Sequence, residues 1–509
     1  MDGRRICGWL SLSLVLAAAG PAWTDDWLDA GPFASSFPTL WESGWRQEGL
    51  GTLAWWQETP ERISSGLAPL LSYEYSPVLD RERFDLLYPA LTWRRSGGES
   101  RFQLAQVITW IHTGQQDEQD SYIHRTVFPI YFEQRSVSGT NDYLAVLPFY
   151  GHLRNRLFRD EIEFILFPIY SRTRKGAVVT RNYVYPVFHL RAGPGLAGWQ
   201  FWPLYGAQEK EITWQTNLFG DRVLSPGSNA RFAVWPLFSH QRAGLGTTNE
   251  VLQTHLLPFY AIVRSPARDQ TTVIWPLFTR TEDRVAGYVE WGAPWPVIGW
   301  ANGPGKTARR VWPFYGNIQA GTSRRNFLLW PVYLHRHIED TAFERDRWRS
   351  FFFLYDDTLL RSRETGEYRR ETGVWPFFSW RHDPTGREQL RVPALLENFV
   401  RNREALDRNY SPLWSVYRSE RDPAKGAASQ SVLWNFFRRD VTASEVRTAC
   451  LFGLVQTRRG ADGDRHWRLL WLPNRHFQTS GEVQRAAVGS PKALPRRGTV
   501  AGPGNSRNR

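Results

Sequence analysis

Cysteine is nearly absent from this chain. Of 509 residues only Cys7 and Cys450 carry a thiol. Cys7 falls in a leading segment expected to be removed, so the mature protein would hold one thiol and no internal disulfide. Stability then has to come from packing, which a chain of this size can supply. Cys450 lies in Ala449-Cys450-Leu451-Phe452, inside a repeated motif, and reads as a buried structural cysteine. Long apolar runs are equally scarce. Beyond the first two dozen residues no stretch approaches the ~20 apolar residues of a membrane helix. Catalytic signatures are missing too: there is no Gly-x-Ser-x-Gly elbow, no P-loop, no His-Glu-x-x-His and no Cys-x-x-Cys.

The N-terminus reads as a secretory signal over residues 1–22. Met1 to Arg5 is short and basic, and the apolar run from Ile6 to Gly20 is built on Leu10, Leu12, Leu14, Val15 and Leu16. Small residues follow, which places cleavage after Ala19 or Ala22. The run is short for a span and suited to a cleaved signal. Export to the periplasm or the cell outer membrane is the expectation. Residues 478–509 are rich in Gly, Pro, Ser and Arg, the composition of a disordered basic tail.

Aromatics, in contrast, are abundant: the chain holds 26 Trp, 30 Phe and 19 Tyr. They follow a rule. Trp275-Pro276-Leu277-Phe278 has counterparts in Trp235-Pro236-Leu237-Phe238, Trp312-Pro313-Phe314-Tyr315 and Trp330-Pro331-Val332-Tyr333. The same frame of large apolar residue, Pro, apolar residue and aromatic is set by Pro129, Pro148, Pro168, Pro186, Pro203, Pro258 and Pro376, and more loosely by Pro296. It returns about every 20 residues, the mark of a repeat architecture. Units such as Phe352-Phe353-Leu354-Tyr355, Trp434-Asn435-Phe436-Phe437 and Phe452-Gly453-Leu454-Val455 lose the Pro and keep the frame. That position therefore asks for a bend or a missing donor rather than for Pro itself. The gap from Pro203 to Pro236 reads as an insertion or a decayed unit.

Polar turn-rich segments separate the motifs, among them Thr173-Arg174-Lys175-Gly176 and Asp383-Pro384-Thr385-Gly386. No window predicts a capped amphipathic helix. The fold class is all-β: a Trp-rich N-terminal cap at 23–61, then an array of about 21 short units over 62–477. Two architectures fit. In one, each unit is a hairpin, with the motif at one end and a polar turn at the other, stacked as in a solenoid. In the other, the units are strands of a meander barrel of about 22 strands in the outer membrane. The motif is apolar on both faces, so it predicts a strand centre buried on both sides, with the aromatics as core. Such a band spans only about 17 Å, short of the ~25 Å of a membrane barrel, and Pro at each strand centre would leave carbonyls unpaired in lipid. The hairpin array is the preferred reading.

The best metal candidate is His335, His337 and Glu339, alternate residues on one expected strand, but a solvated strand face is the preferred reading and no metal site is expected. No cofactor is implied. Runs such as Arg309-Arg310, Arg324-Arg325, Arg361-Ser362-Arg363 and Arg438-Arg439 suit acidic glycans or lipopolysaccharide, or serve as a solubilising rim. No specific nucleic-acid partner is predicted. The functional expectation is an exported, non-enzymatic cell-envelope scaffold, with a porin- or transporter-like barrel as the alternative.

Overall fold

A computed structural model describes residues 35–114, 121–139, 141–216, 220–399 and 403–470. The proposed signal, the basic tail and the terminal motif at Trp471-Leu472-Pro473 lie outside these residues. The protein is all-β. Forty-two short strands form one antiparallel sheet in which each strand pairs with its neighbours in sequence, and a separate two-stranded hairpin, Thr213–Thr216 with Arg222–Ser225, fills the gap between Pro203 and Pro236. Strands from Ser35 to Glu58 belong to the same sheet, so the Trp-rich segment continues the array instead of standing apart from it.

The motif does not occupy a strand centre. The strand Arg159–Ile165 ends before Leu166-Phe167-Pro168-Ile169, a turn, and Tyr170–Lys175 begins after it. Val178–Tyr183 and Phe188–Gly193 flank Val184-Tyr185-Pro186-Val187 in the same way. All twelve repeat prolines, from Pro129 to Pro376, follow a cis peptide bond. In these turns the amide of Ile169 donates to the carbonyl of Leu166 at 2.8 Å, and Leu237 to Val234 at 2.8 Å, the closure of a turn with cis-Pro at its third position. Left-handed residues open Pro-containing turns, as at Leu166 with φ 45°, and where Pro is lost its own position is left-handed as well in Asn435, φ 71°, and Gly453, φ 79°. The hairpin architecture therefore stands, and the reading of the motif as a two-sided buried strand is overturned.

Register holds level from hairpin to hairpin, so every motif turn lies on one edge of the sheet and every polar turn on the other. Alternate residues face opposite sides of a strand, and the two sides differ. On one face, the strand residue next to the motif turn is apolar: Tyr150, Ile165, Tyr170, Tyr183, Phe188, Phe201 and Tyr205 are successive partners. On the other face, one residue further in, runs Gly151, Phe164, Ser171, Asn182, His189, Gln200 and Gly206, small or polar apart from Phe164. Phenyl rings lie across the glycines of this row. A Cβ at Gly206 would come 2.2 Å from Phe232 Cε1, and one at Gly316 would come 2.0 Å from Phe327 Cε1. Conventional core is scarce, and the described cluster is Tyr143, Ala145, Leu153 and Phe164. Cys450 pairs with Phe437 and Val455 in the apolar row and is half-buried, not core.

Two stability predictions follow from this geometry. Gly206→Val should cost about 1–3 kcal/mol in denaturant unfolding, because the Phe232 ring has to move, and adding Phe232→Ala should recover part of the loss. Trp275 is 49% exposed, so Trp275→Ala should change stability by less than about 1 kcal/mol. A loss of several kcal/mol would restore the core reading.

Candidate functional site: an apolar rim and a charged clasp

Most backbone donors at the motif edge are used, although the amides of Phe149, Phe259, Phe314 and Phe377 are not among them. The amide of Leu166 donates to the carbonyl of Phe149 at 2.6 Å and that of Phe167 to Pro148 at 2.7 Å. One turn along, Val184 donates to Ile169 and Tyr185 to Pro168, at 2.6 and 2.7 Å. The pattern returns in Trp235 to Pro203, Trp275 to Pro258 and Trp330 to Pro313. Pro itself has no N–H to satisfy. The turns thus extend the hydrogen-bond ladder along the sheet edge, and proline carbonyls expected to be orphaned, among them those of Pro148, Pro168, Pro203 and Pro258, are acceptors within it.

The side chains on these turns point away from this ladder into open space. Val184 is 54% exposed, Tyr185 52%, Trp235 52% and Ile274 52%. With the apolar row beside them they form one continuous belt of exposed aliphatic and aromatic surface. Belts of this extent mark an interaction surface. Three residues into the strand on the same face the chemistry changes: Arg172, Arg181, Arg231, Arg280 and Arg309 appear, interspersed with Trp199, Trp291 and Trp300.

The two ends of the sheet meet each other. Glu48, fully buried, accepts from both terminal nitrogens of Arg418 at 2.7 Å, from Asn435 Nδ2 at 2.7 Å and from Arg46 Nε at 2.6 Å. Nearby, Glu420 accepts from the amides of Leu40 and Trp41 at 2.9 and 3.1 Å, and the Arg438 guanidinium lies 3.2 Å from the Phe37 ring centroid. A short helix, Arg403–Asn409, which the sequence analysis missed, carries Arg408 into the same contact. Arg408 donates to Asp85 at 2.7 Å, Glu74 at 2.5 Å and Ser72 at 3.0 Å. Tyr410 donates to the carbonyl of Tyr88. Both ends contribute their small-and-polar face. The intervening strands, at ~4.8 Å each, run a path on the order of 150 Å, so the sheet has to bend round for its ends to touch. A cavity of about 570 Å³ sits in this clasp, lined by Trp55, Arg46, Arg381, Gln389, Arg391 and Glu397 among others.

Burial alone would raise the Glu48 carboxyl, but Arg418 and Arg46 beside it more than offset this and hold it far below the usual range. Asp85 is likewise lowered against its burial by Arg408 and Arg83.

The predicted metal candidates come together only in part. His335 Nε2 and His337 Nδ1 lie 3.1 and 2.8 Å from Asp346 Oδ1, and Glu339 lies 3.4 Å from His337 Nε2. The hydrogen bond to Asp346 raises His337 against its partial burial. The donor atoms of His337, Glu344 and Asp346 fall within 4.8 Å of one another, as do those of His152, Glu161 and Glu163. His335 stacks on Trp348 with centroids 3.9 Å apart. Hydrogen bonds and stacking account for this cluster as a strand-face ladder. Among the arginine runs, Arg438 is buried against Asp440 at 2.8 Å, which removes it from any solvated rim.

No family model matches this chain, and no curated protein matches it.

The clasp should be acid-sensitive. Glu48 and Asp85 have lowered folded values, so their contribution is complete above the unfolded carboxylate range of ~4. It fades as pH falls below that range. Melting temperature should drop between pH 5 and 3, and Glu48→Gln should flatten that slope. Arg418→Met, which strands Glu48 as a buried charge, should cost about 3–5 kcal/mol at neutral pH.

Proposed function

We propose that this chain is an exported, non-enzymatic scaffold of a cell envelope, seated by its motif rim in the surface of a lipid layer. One observation carries the reading: the rim is apolar and exposed, and most of its backbone donors are already satisfied. Hydrocarbon solvates apolar side chains and penalises each free N–H or C=O by several kcal/mol. A rim of ordinary polar turns would fail on both counts, whereas this rim meets the first and leaves only a minority of its amides unpaired.

The depth is that of a single leaflet. One turn and one strand residue amount to about 10 Å at ~3.3 Å per residue, against a hydrocarbon core of about 30 Å. Immediately above, the arginines on the same face would meet headgroup phosphates, and Trp199, Trp291 and Trp300 would lie at the interface that Trp favours. Charge at that level argues against the spanning barrel, which needs an apolar outer face about 25 Å tall. It supports seating on the layer, with the polar-turn edge in water.

Flotation of the purified protein with neutral phosphatidylcholine vesicles tests the reading. The chain should rise with the vesicles, and its Trp emission should shift to the blue. Replacing Trp235, Trp275, Trp312 and Trp330 together by Ser should abolish flotation and leave the β-sheet circular dichroism unchanged. Wild-type protein that stays at the bottom of the gradient would sink the proposal.

A further inference from the structure

The strand Phe343–Ser350 reads Phe-Glu-Arg-Asp-Arg-Trp-Arg-Ser, which places Arg345, Arg347 and Arg349 on one face. Register makes that the small-and-polar face, where Arg349 stands opposite Leu334 and Asp356. The two preceding strands add to it: Arg347 lies directly opposite Arg336, and Arg336 directly opposite Arg325. Three adjacent strands therefore gather five guanidiniums on one face. Among the described residues a single carboxylate bonds to the set, Asp356, which accepts from Arg347 Nε and Nη2 at 3.1 and 2.6 Å. Arg325, Arg336 and Arg345 are exposed, while Arg347 and Arg349 are half-buried.

Nothing in the fold demands this. Like charges directly opposite on paired strands are destabilising. Elsewhere the sheet mixes opposite-charge pairs, such as Arg125 with Glu133, with arginine pairs such as Arg172 with Arg181. Glu163, however, stands across from that Arg172, whereas Arg325, Arg336 and Arg347 follow one another with no carboxylate between them. The same level of the same face holds Ala301, Ala308 and Ile318 on strands just before the arginines, so small or aliphatic residues serve the packing there. Burial, with Arg347 beside it, holds Arg349 below the ordinary arginine value. Ser323 shares this face, in the row of Arg345, and its buried hydroxyl has no partner.

We propose that this arginine face is a binding site for clustered phosphate groups, borne by a soluble polyphosphorylated ligand or by lipid headgroups. Guanidinium forks match phosphate oxygens two at a time, and an anion relieves the mutual repulsion that the empty face carries. The site is on the face opposite to the apolar belt, so it does not depend on the rim entering lipid.

The test uses the full chain and the variant Arg325→Gln/Arg336→Gln, both exposed positions. Binding of inorganic tripolyphosphate is measured by calorimetry at two salt concentrations. Binding of vesicles is measured with and without anionic phospholipid. The variant should melt at or above the wild-type temperature, because a repulsion is removed. It should bind tripolyphosphate at least tenfold more weakly, with a shallower salt dependence, if the ligand is soluble. If headgroups are the ligand, it should lose the extra affinity for anionic over neutral vesicles. Unchanged affinity in both arms, or no wild-type binding in either, would overturn the site. Neutral vesicles report the rim alone, so failure of the rim and failure of the arginine face are separate results.

Discussion

Every backbone donor in a motif turn has to find an acceptor or be absent, and this requirement shapes the whole molecule. A sheet built from hairpins about 20 residues long has a turn edge as extensive as its faces. If that edge is to be apolar, its amides cannot be left to water. In the longer turns Pro removes one donor, closure consumes another, and the two remaining amides donate to the preceding turn, as Leu166 does to Phe149 and Phe167 to Pro148. In shorter turns such as that at Pro148 one amide, Leu147, donates to the preceding turn. The outcome is a ladder that continues past the strand ends. It also fixes register, because a hairpin slipped by one residue would break bonds in two turns at once.

The same accounting explains why so much aromatic surface exists with so little core. A single-layer sheet has no second layer to bury against, so apolar area collects on one face and one edge. The opposite face is packed laterally instead, with Gly and Ser under neighbouring phenyl rings and with polar side chains bonded across strands. In a two-layer domain the Trp count would specify an interior. In one layer it specifies a surface, and an exposed apolar surface of that extent marks an interaction site.

How much of this could be read from the residues is instructive. The period of the motif, the polar segments between motifs and the turn residues within them are local features, and they identify antiparallel hairpins in a long array. The placement of the motif failed for a physical reason. Five apolar residues in a row look alike whether they are a strand buried on two sides or a turn with all its side chains turned outward. Pro at a constant position was the discriminating signal, since Pro is excluded from central strands. The units with Asn435 or Gly453 in its place point the same way, as both residues accept the left-handed backbone the turn adopts. The clasp was beyond reach: Glu48 and Arg418 are 370 residues apart, and no local pattern announces them. Of the arginine face, the alternation of Arg345, Arg347 and Arg349 was legible, but its alignment with Arg325 and Arg336 depends on register, which only the assembled sheet supplies.

The clasp also decides what a sheet of this length can be. A single layer of forty-two strands with two free ends exposes two edges, and open edges recruit further strands. Here the ends are drawn together face to face through buried ion pairs, not through a closing strand pair, so the polar faces converge while the apolar belt stays outside the contact. Ion pairs in such a place contribute little net stability against their desolvation cost. What they supply is selectivity. Glu48 tolerates burial only with Arg418, Arg46 and Asn435 all in position, and Asp85 only with Arg408 and Arg83. An apolar clasp would have competed with the motif rim for the same partners and let the ends adhere to any belt surface. A charged one matches groups of complementary charge and geometry, which keeps the contact between the ends separate from the apolar rim.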